Sequence, residues 1–139
     1  MFDIKEIIDN SKDLKVLYVE DNAEARESTI GLLENVFNDV TVAVDGKDGL
    51  EKFYKESSSY DLVISDINMP KMNGIDMISN IKKNRQDVKI FLLSAYNESE
   101  YPVDADLKID ARLHKPINFE SFFKELNQIY STDIKGLSI

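Results

Sequence analysis

The segment from Leu62 to Gly74 (LVISDINMPKMNG) restricts the fold more than any other part of the chain. Leu62, Val63, Ile64 and Ser65 run straight into the carboxylate of Asp66, and the chain then breaks at Pro70 and Gly74. An apolar run this short, closed by turn formers, is the pattern of a strand buried on both faces of a parallel sheet. Asp66 then stands at the strand's carboxyl end, the edge where open α/β sheets gather their ligands. Taken alone, Asp66 could equally be an acidic cap of the following loop. The rest of the chain has to decide.

The same grammar recurs along the sequence. Val16-Leu17-Tyr18-Val19 ends at Glu20-Asp21, and a helical face follows at Ala25, Thr29, Leu32, Leu33, Val36 and Phe37. Val40–Val44 reads as a second strand, turning at Asp45-Gly46 into a helix carrying Leu50, Phe53 and Tyr54. Residues 57–59 are three serines, read as a loop. Gly74 opens a helix with Ile75, Ile78 and Ile81 inward and Met77 flanking. Lys89–Leu93 is a fourth strand ending at Ser94, and residues 97–108, with Pro102, read as a short or irregular helix. Ala111–His114 is a fifth strand ending at Lys115-Pro116. Asn118 then caps a last helix with Phe119, Phe122, Phe123, Leu126, Ile129 and Tyr130 on one stripe. At the other end, Asp3 caps a short helix over 3–12 whose Ile4, Ile7 and Ile8 dock on the domain or on a second copy. The chain thus divides into an N-terminal extension (1–13), one domain (14–130) and a tail or linker start (131–139). The fold class is α/β: a (βα)5 doubly wound parallel sheet with helices on both faces.

Composition removes several classes of function. With 17 Lys and Arg against 26 Asp and Glu, the net charge of −9 disfavours nucleic acid and anionic membrane as direct partners. Zero Cys excludes a disulfide framework and thiolate metal sites, and a single His makes zinc or copper a poor fit. The start of the chain does not read as a signal peptide, and no apolar stretch reaches the roughly 20 residues that span a bilayer. The expected location is the cytoplasm.

In a parallel sheet all the strand ends named above share one edge. Glu20, Asp21 and Asp66 would repel one another there unless a cation sat between them. Magnesium fits such a set, since it takes a few carboxylates, waters and a phosphate oxygen, and the Asn68 backbone carbonyl could add another oxygen. Asp66 can act as a carboxylate nucleophile toward phosphorus. Lys115 can pair with a phosphate oxygen, and Ser94 can donate a hydrogen bond to another.

The ordered set Glu20-Asp21, Asp66 with Met69-Pro70 and Gly74, Ser94-Ala95 and Lys115-Pro116 resembles the response-regulator receiver domain of two-component signalling (CheY-like). The resemblance covers roughly residues 14–130 and implies the flavodoxin-like sheet order 2-1-3-4-5. It implies further that Asp66 is the phosphoacceptor, loaded from a phosphohistidine on a sensor histidine kinase or phosphotransfer protein. Asp21 and Asp66 are then expected to bind Mg²⁺ directly, Glu20 through water and Asn68 through its carbonyl, with Ser94 and Lys115 holding the phosphoryl group. A cis Lys115–Pro116 bond is also implied, as is a switched output face that meets a further partner or effector domain. Such a domain is not an enzyme in the usual sense; it catalyses only its own phosphorylation and dephosphorylation. Tyr96, two residues after Ser94, is expected to shield the phosphate from water. Arg112 stands where the family usually has an aromatic switch residue, Ile109-Asp110 replaces a small Gly-Ala pair, and Pro102 falls in the fourth-helix region, so the readout departs from the family pattern. His114 has no assigned role. Two rivals remain: a haloacid-dehalogenase-type Mg²⁺-dependent phosphatase, against which Asn68 stands where that class needs a second Asp, and a receiver-like module that is never phosphorylated.

Overall fold

The structure, a computed structural model, describes residues 3–55, 59–94 and 107–130. Among these residues the chain forms α1 (Ile4–Ser11), β1 (Lys15–Val19), α2 (Ala23–Val36), β2 (Asp39–Ala43), α3 (Gly46–Lys55), β3 (Leu62–Asp66), α4 (Gly74–Asn84), β4 (Lys89–Ser94), β5 (Ala111–His114) and α5 (Phe119–Tyr130). The five strands are parallel and lie in the order β2-β1-β3-β4-β5. This is the flavodoxin-like α/β arrangement expected from the sequence.

Period-two alternation sorts each central strand between two apolar layers. Val16 and Tyr18 of β1, Leu62 and Ile64 of β3, and Phe91 and Leu93 of β4 face a cluster built from α1, α2 and α5. Leu17 and Val19, Val63, and Ile90 and Leu92 face the cluster beneath α3 and α4. Burial on both sides explains why β1, β3 and β4 read as continuous apolar runs. Phe122 of α5 anchors the first layer, with its ring edge-on to Phe37 (6.3 Å) and Phe91 (6.1 Å). Phe53 and Tyr60 stack at 5.6 Å in the second layer.

Side-chain caps account for the helix starts. Asp3 accepts from the Glu6 amide, Asn22 from Ala25, Asn73 from Asp76 and Asn118 from Ser121. Helix α1 buries Ile7 and packs on α5 of the same chain.

The structure corrects several details of the sequence reading. β2 stops at Ala43, and Val44 is exposed. Met77 is fully buried rather than flanking, and Phe119 is 60 % exposed although it continues the α5 stripe. Phe119 is the first residue of α5 and stacks on Phe123 at 6.3 Å. A helical stripe shows which residues share a face, not how far the layer beneath them extends. Residues 97–106 of the expected segment 97–108, which include Pro102, lie outside the described residues, as do Ala95, Tyr96, Ser57, Ser58 and the tail 131–139.

Candidate functional site

Two strand ends supply the site's buried carboxylates. β1 leaves the sheet after Val19, and the Glu20 amide still donates to the Ala43 carbonyl (3.1 Å), which holds the turn against β2. The chain then enters α2 through Asn22, whose amide donates to Glu20 Oε2 (3.3 Å). Arg26 reaches back from α2 to the carbonyls of Glu20 (3.0 Å) and Asp21 (3.5 Å), closing the acidic turn from behind. The sequence reading missed this residue; its signal is an Arg one helical turn after a pair of acids.

At the end of β3, Asp66 Oδ1 accepts from the Ile67 amide at 2.9 Å, while the Ser65 hydroxyl donates to the Asp66 carbonyl at 2.8 Å. The following loop folds back tightly, and the Gly74 amide donates to the Ile67 carbonyl at 2.7 Å. Gly74 is required by space: a Cβ there would collide with the Asp66 carbonyl. Gly46 is constrained in the same way against the Met72 carbonyl, so the loop after Asp66 rests on the β2–α3 turn. Asn68 sits exposed in that loop, two residues past Asp66.

β4 and β5 complete the edge. Ser94 is buried and follows Leu93, the Cα partner of Asp66; its carbonyl accepts from the Lys115 amide at 2.8 Å. The Lys115–Pro116 peptide is cis. Lys115 Nζ lies 3.0 Å from Asp66 Oδ2 and 3.1 and 3.3 Å from the two oxygens of Glu20. Glu20 is 1 % exposed and Asp66 5 %, whereas Asp21 is open to solvent. Carboxylate oxygens of Glu20, Asp21 and Asp66 all come within 4.8 Å of one another. Each residue singled out at a strand end therefore stands at this edge, and Glu20, Asp21, Asp66 and Lys115 converge on one point.

One ammonium cannot balance three carboxylates. Burial, then the neighbouring Asp66 charge, pushes the Glu20 carboxyl up to about 7 despite the opposing pull of Lys115. Burial alone would lower the Lys115 ammonium, but its hydrogen bonds to Asp66 and Glu20 outweigh this and leave it raised. Glu20 Oε1 is buried with no hydrogen bond of good geometry among the described residues, although Lys115 pairs with it as a charge. The donor set is all oxygen, lies at one focus and lacks positive charge, which fits a hard divalent cation such as Mg²⁺. A cleft of about 610 Å³ opens beside the cluster between α2 and the loop that carries Lys115 and Pro116. Among the described residues no helix is long and apolar enough to cross a membrane.

The profile of the response regulator receiver domain matches residues 16–127. The response regulator ArlR of Staphylococcus saprophyticus is 28 % identical over 132 residues, covering 90 % of this chain and 59 % of that protein. The CpxR homolog of Haemophilus influenzae, a transcriptional regulatory protein, is 34 % identical over 116 residues, covering 83 % of this chain and 49 % of that protein. The chain thus spans about half the length of these relatives. Among solved structures, a response regulator receiver domain protein from Clostridium thermocellum superposes with a TM-score of 0.76 at 25 % identity, covering 91 % of this chain and 99 % of that one.

Proposed function

Because the chain belongs to the response regulator receiver domain family, we propose that Asp66 is its phosphoacceptor, loaded from a phosphohistidine on a sensor histidine kinase or phosphotransfer protein. An Asp66 carboxylate oxygen forms the new bond to phosphorus as the P–N bond breaks. The electron pair of that bond returns to the imidazole, and the product is an acyl phosphate on Asp66. Magnesium, held by Asp21, Asp66 and the Asn68 carbonyl, with Glu20 reached through water, would neutralise charge on the transferring group. Lys115 gives up part of its pairing with Asp66 and takes a phosphoryl oxygen, while Ser94 donates to another.

The observation that carries this reading is the single ammonium shared by two buried carboxylates at the carboxyl edge of a parallel sheet. Such a site is short of positive charge at rest, and the deficit suits it to a cation and a reacting phosphoryl group. Phosphorylation adds roughly −1.5 to −2 of charge and three acceptor oxygens, which biases a two-state domain through Ser94 and the segment that follows it. By resemblance to the family, the output face comprises the region between β4 and β5 together with β5 and α5. Arg112 there is exposed on β5 and its charge opposes burial in an apolar switch pocket, so the readout runs by another route. On this reading the domain works in the cytoplasm and turns over no substrate other than its own phosphate.

Intact-mass measurement after incubation with acetyl phosphate and Mg²⁺ tests the proposal. The expected result is a gain of one phosphoryl group that disappears in Asp66→Asn. Either an unmodified wild-type chain or a modified Asp66→Asn chain overturns it.

A further inference from the structure

From Val16 to Val19, β1 carries one polar side-chain atom, the Tyr18 hydroxyl. Tyr18 is fully buried, with its ring in the layer shared by α1, α2 and α5. Its hydroxyl makes no hydrogen bond of good geometry among the described residues. Glu20 stands two residues further along the chain, where side chains return to the same face of the sheet. Glu20 Oε1 is buried and lacks a well-formed hydrogen bond as well. Thr29 of α2 is the third member of the group. It acts on the phenol as a hydrogen-bonding neighbour, although its geometry falls short of a formed bond, and the charges of Glu20, Lys115 and Asp66 also reach the phenol. A tyrosine hydroxyl can both donate and accept a hydrogen bond.

Phenylalanine would fill this space without a stranded polar atom. A buried hydroxyl with no partner is destabilising, and native interiors rarely keep one without a use. The two stranded oxygens and the Thr29 hydroxyl offer the two to four polar partners that a buried water requires. Glu20 and Thr29 also line the same cleft of about 610 Å³.

We propose that Tyr18 is a positioning residue for the acidic cluster: its hydroxyl, with that of Thr29 and one buried water, supplies the hydrogen bond that Glu20 Oε1 lacks. Held from below in this way, Glu20 keeps its carboxylate turned toward the cation. It also releases Lys115, which otherwise divides its charge between Glu20 and Asp66 at nearly equal distances. Groups that orient a metal-binding carboxylate commonly set metal affinity by an order of magnitude. This inference rests on the cation reading of the site given above.

The test is Mg²⁺ titration of the wild type, Tyr18→Phe, Thr29→Val and the double variant, followed by calorimetry or backbone amide NMR, with urea unfolding of each as a control. Tyr18→Phe keeps the ring and its packing, so it should unfold at or above the wild-type urea midpoint while binding Mg²⁺ about tenfold more weakly. Thr29→Val should weaken binding in the same direction. The double variant should be little worse than Tyr18→Phe, because both hydroxyls serve one path. Wild-type affinity within twofold in Tyr18→Phe overturns the proposal, whether or not its stability has changed. A wild-type chain that binds no Mg²⁺ overturns both this inference and the cation reading, whereas wild-type binding with an unaffected Tyr18→Phe removes this inference alone.

Discussion

Glu20→Gln should stabilise the cation-free protein at neutral pH while weakening its response to magnesium. Glu20 carries a carboxyl raised from the usual 4.5 to about 7, first by burial and next by the Asp66 charge. Below pH 4.5 the group holds its proton in both folded and unfolded chains. Between 4.5 and 7 the folded chain retains a proton that the unfolded chain has lost, so stability falls as pH rises through this window. At about 1.4 kcal/mol for each tenfold change in proton affinity, the full loss comes to about 3 kcal/mol. A glutamine side chain never ionises and escapes the penalty. In EDTA, followed by far-UV circular dichroism because the chain lacks Trp, the variant and wild type should unfold at the same urea concentration near pH 4.5. By pH 8 the variant should need about 1–3 M more urea, given urea slopes of about 1–3 kcal/mol per molar. A fixed Mg²⁺ concentration at pH 8 should narrow the gap by stabilising the wild type more than the variant. Equal midpoints at pH 8 in EDTA, or an advantage that grows toward acid, would refute the account of the site as short of positive charge.

Lys115→Ala leaves Glu20 and Asp66 buried without the cation that pairs with both. It should cost about 3–5 kcal/mol in urea unfolding at pH 7, with part of the loss recovered by Mg²⁺ or by lowering the pH toward 5. Gly74→Ala drives a Cβ into the Asp66 carbonyl and should cost about 1–3 kcal/mol while shifting the Ile67 amide resonance. Gly31→Ala is its control: that position in α2 has open space around it, and the substitution should raise stability by about 0.5–1 kcal/mol.

Much of this architecture is written locally. The runs at Val16, Leu62 and Ile90 are apolar at consecutive positions because β1, β3 and β4 are covered on both faces, and that pattern survives in one dimension. Each run stops at the residue that stands at the sheet edge, so Glu20, Asp66 and Ser94 were legible once the strands were understood to be parallel. Lys115 could be placed there only by the order of motifs, since β5 is a four-residue edge strand with a weak signal of its own. The caps at Asp3, Asn22, Asn73 and Asn118 are also local, because a capping side chain bonds an amide only three residues ahead.

What the chain could not disclose in one dimension were the consequences of distance between remote residues. Helical spacing placed Phe119 on the stripe read as core, yet burial depends on what the rest of the fold sets against it, and Phe119 is exposed. Met77 is buried because it meets Gly49, twenty-eight positions earlier, in the tight approach of α4 to α3. The need for glycine at 74 arises from the Asp66 carbonyl lying where a side chain would begin. The sequence by itself therefore determined the alternation of strand and helix and the residues at the sheet's active edge. Only the tertiary structure decided that one lysine serves two buried carboxylates, and that the Tyr18 hydroxyl and Glu20 Oε1 are buried without well-formed hydrogen bonds among the described residues. Periodicity is a property of neighbours along the chain, whereas charge balance and hydrogen-bond satisfaction belong to groups that only folding brings together.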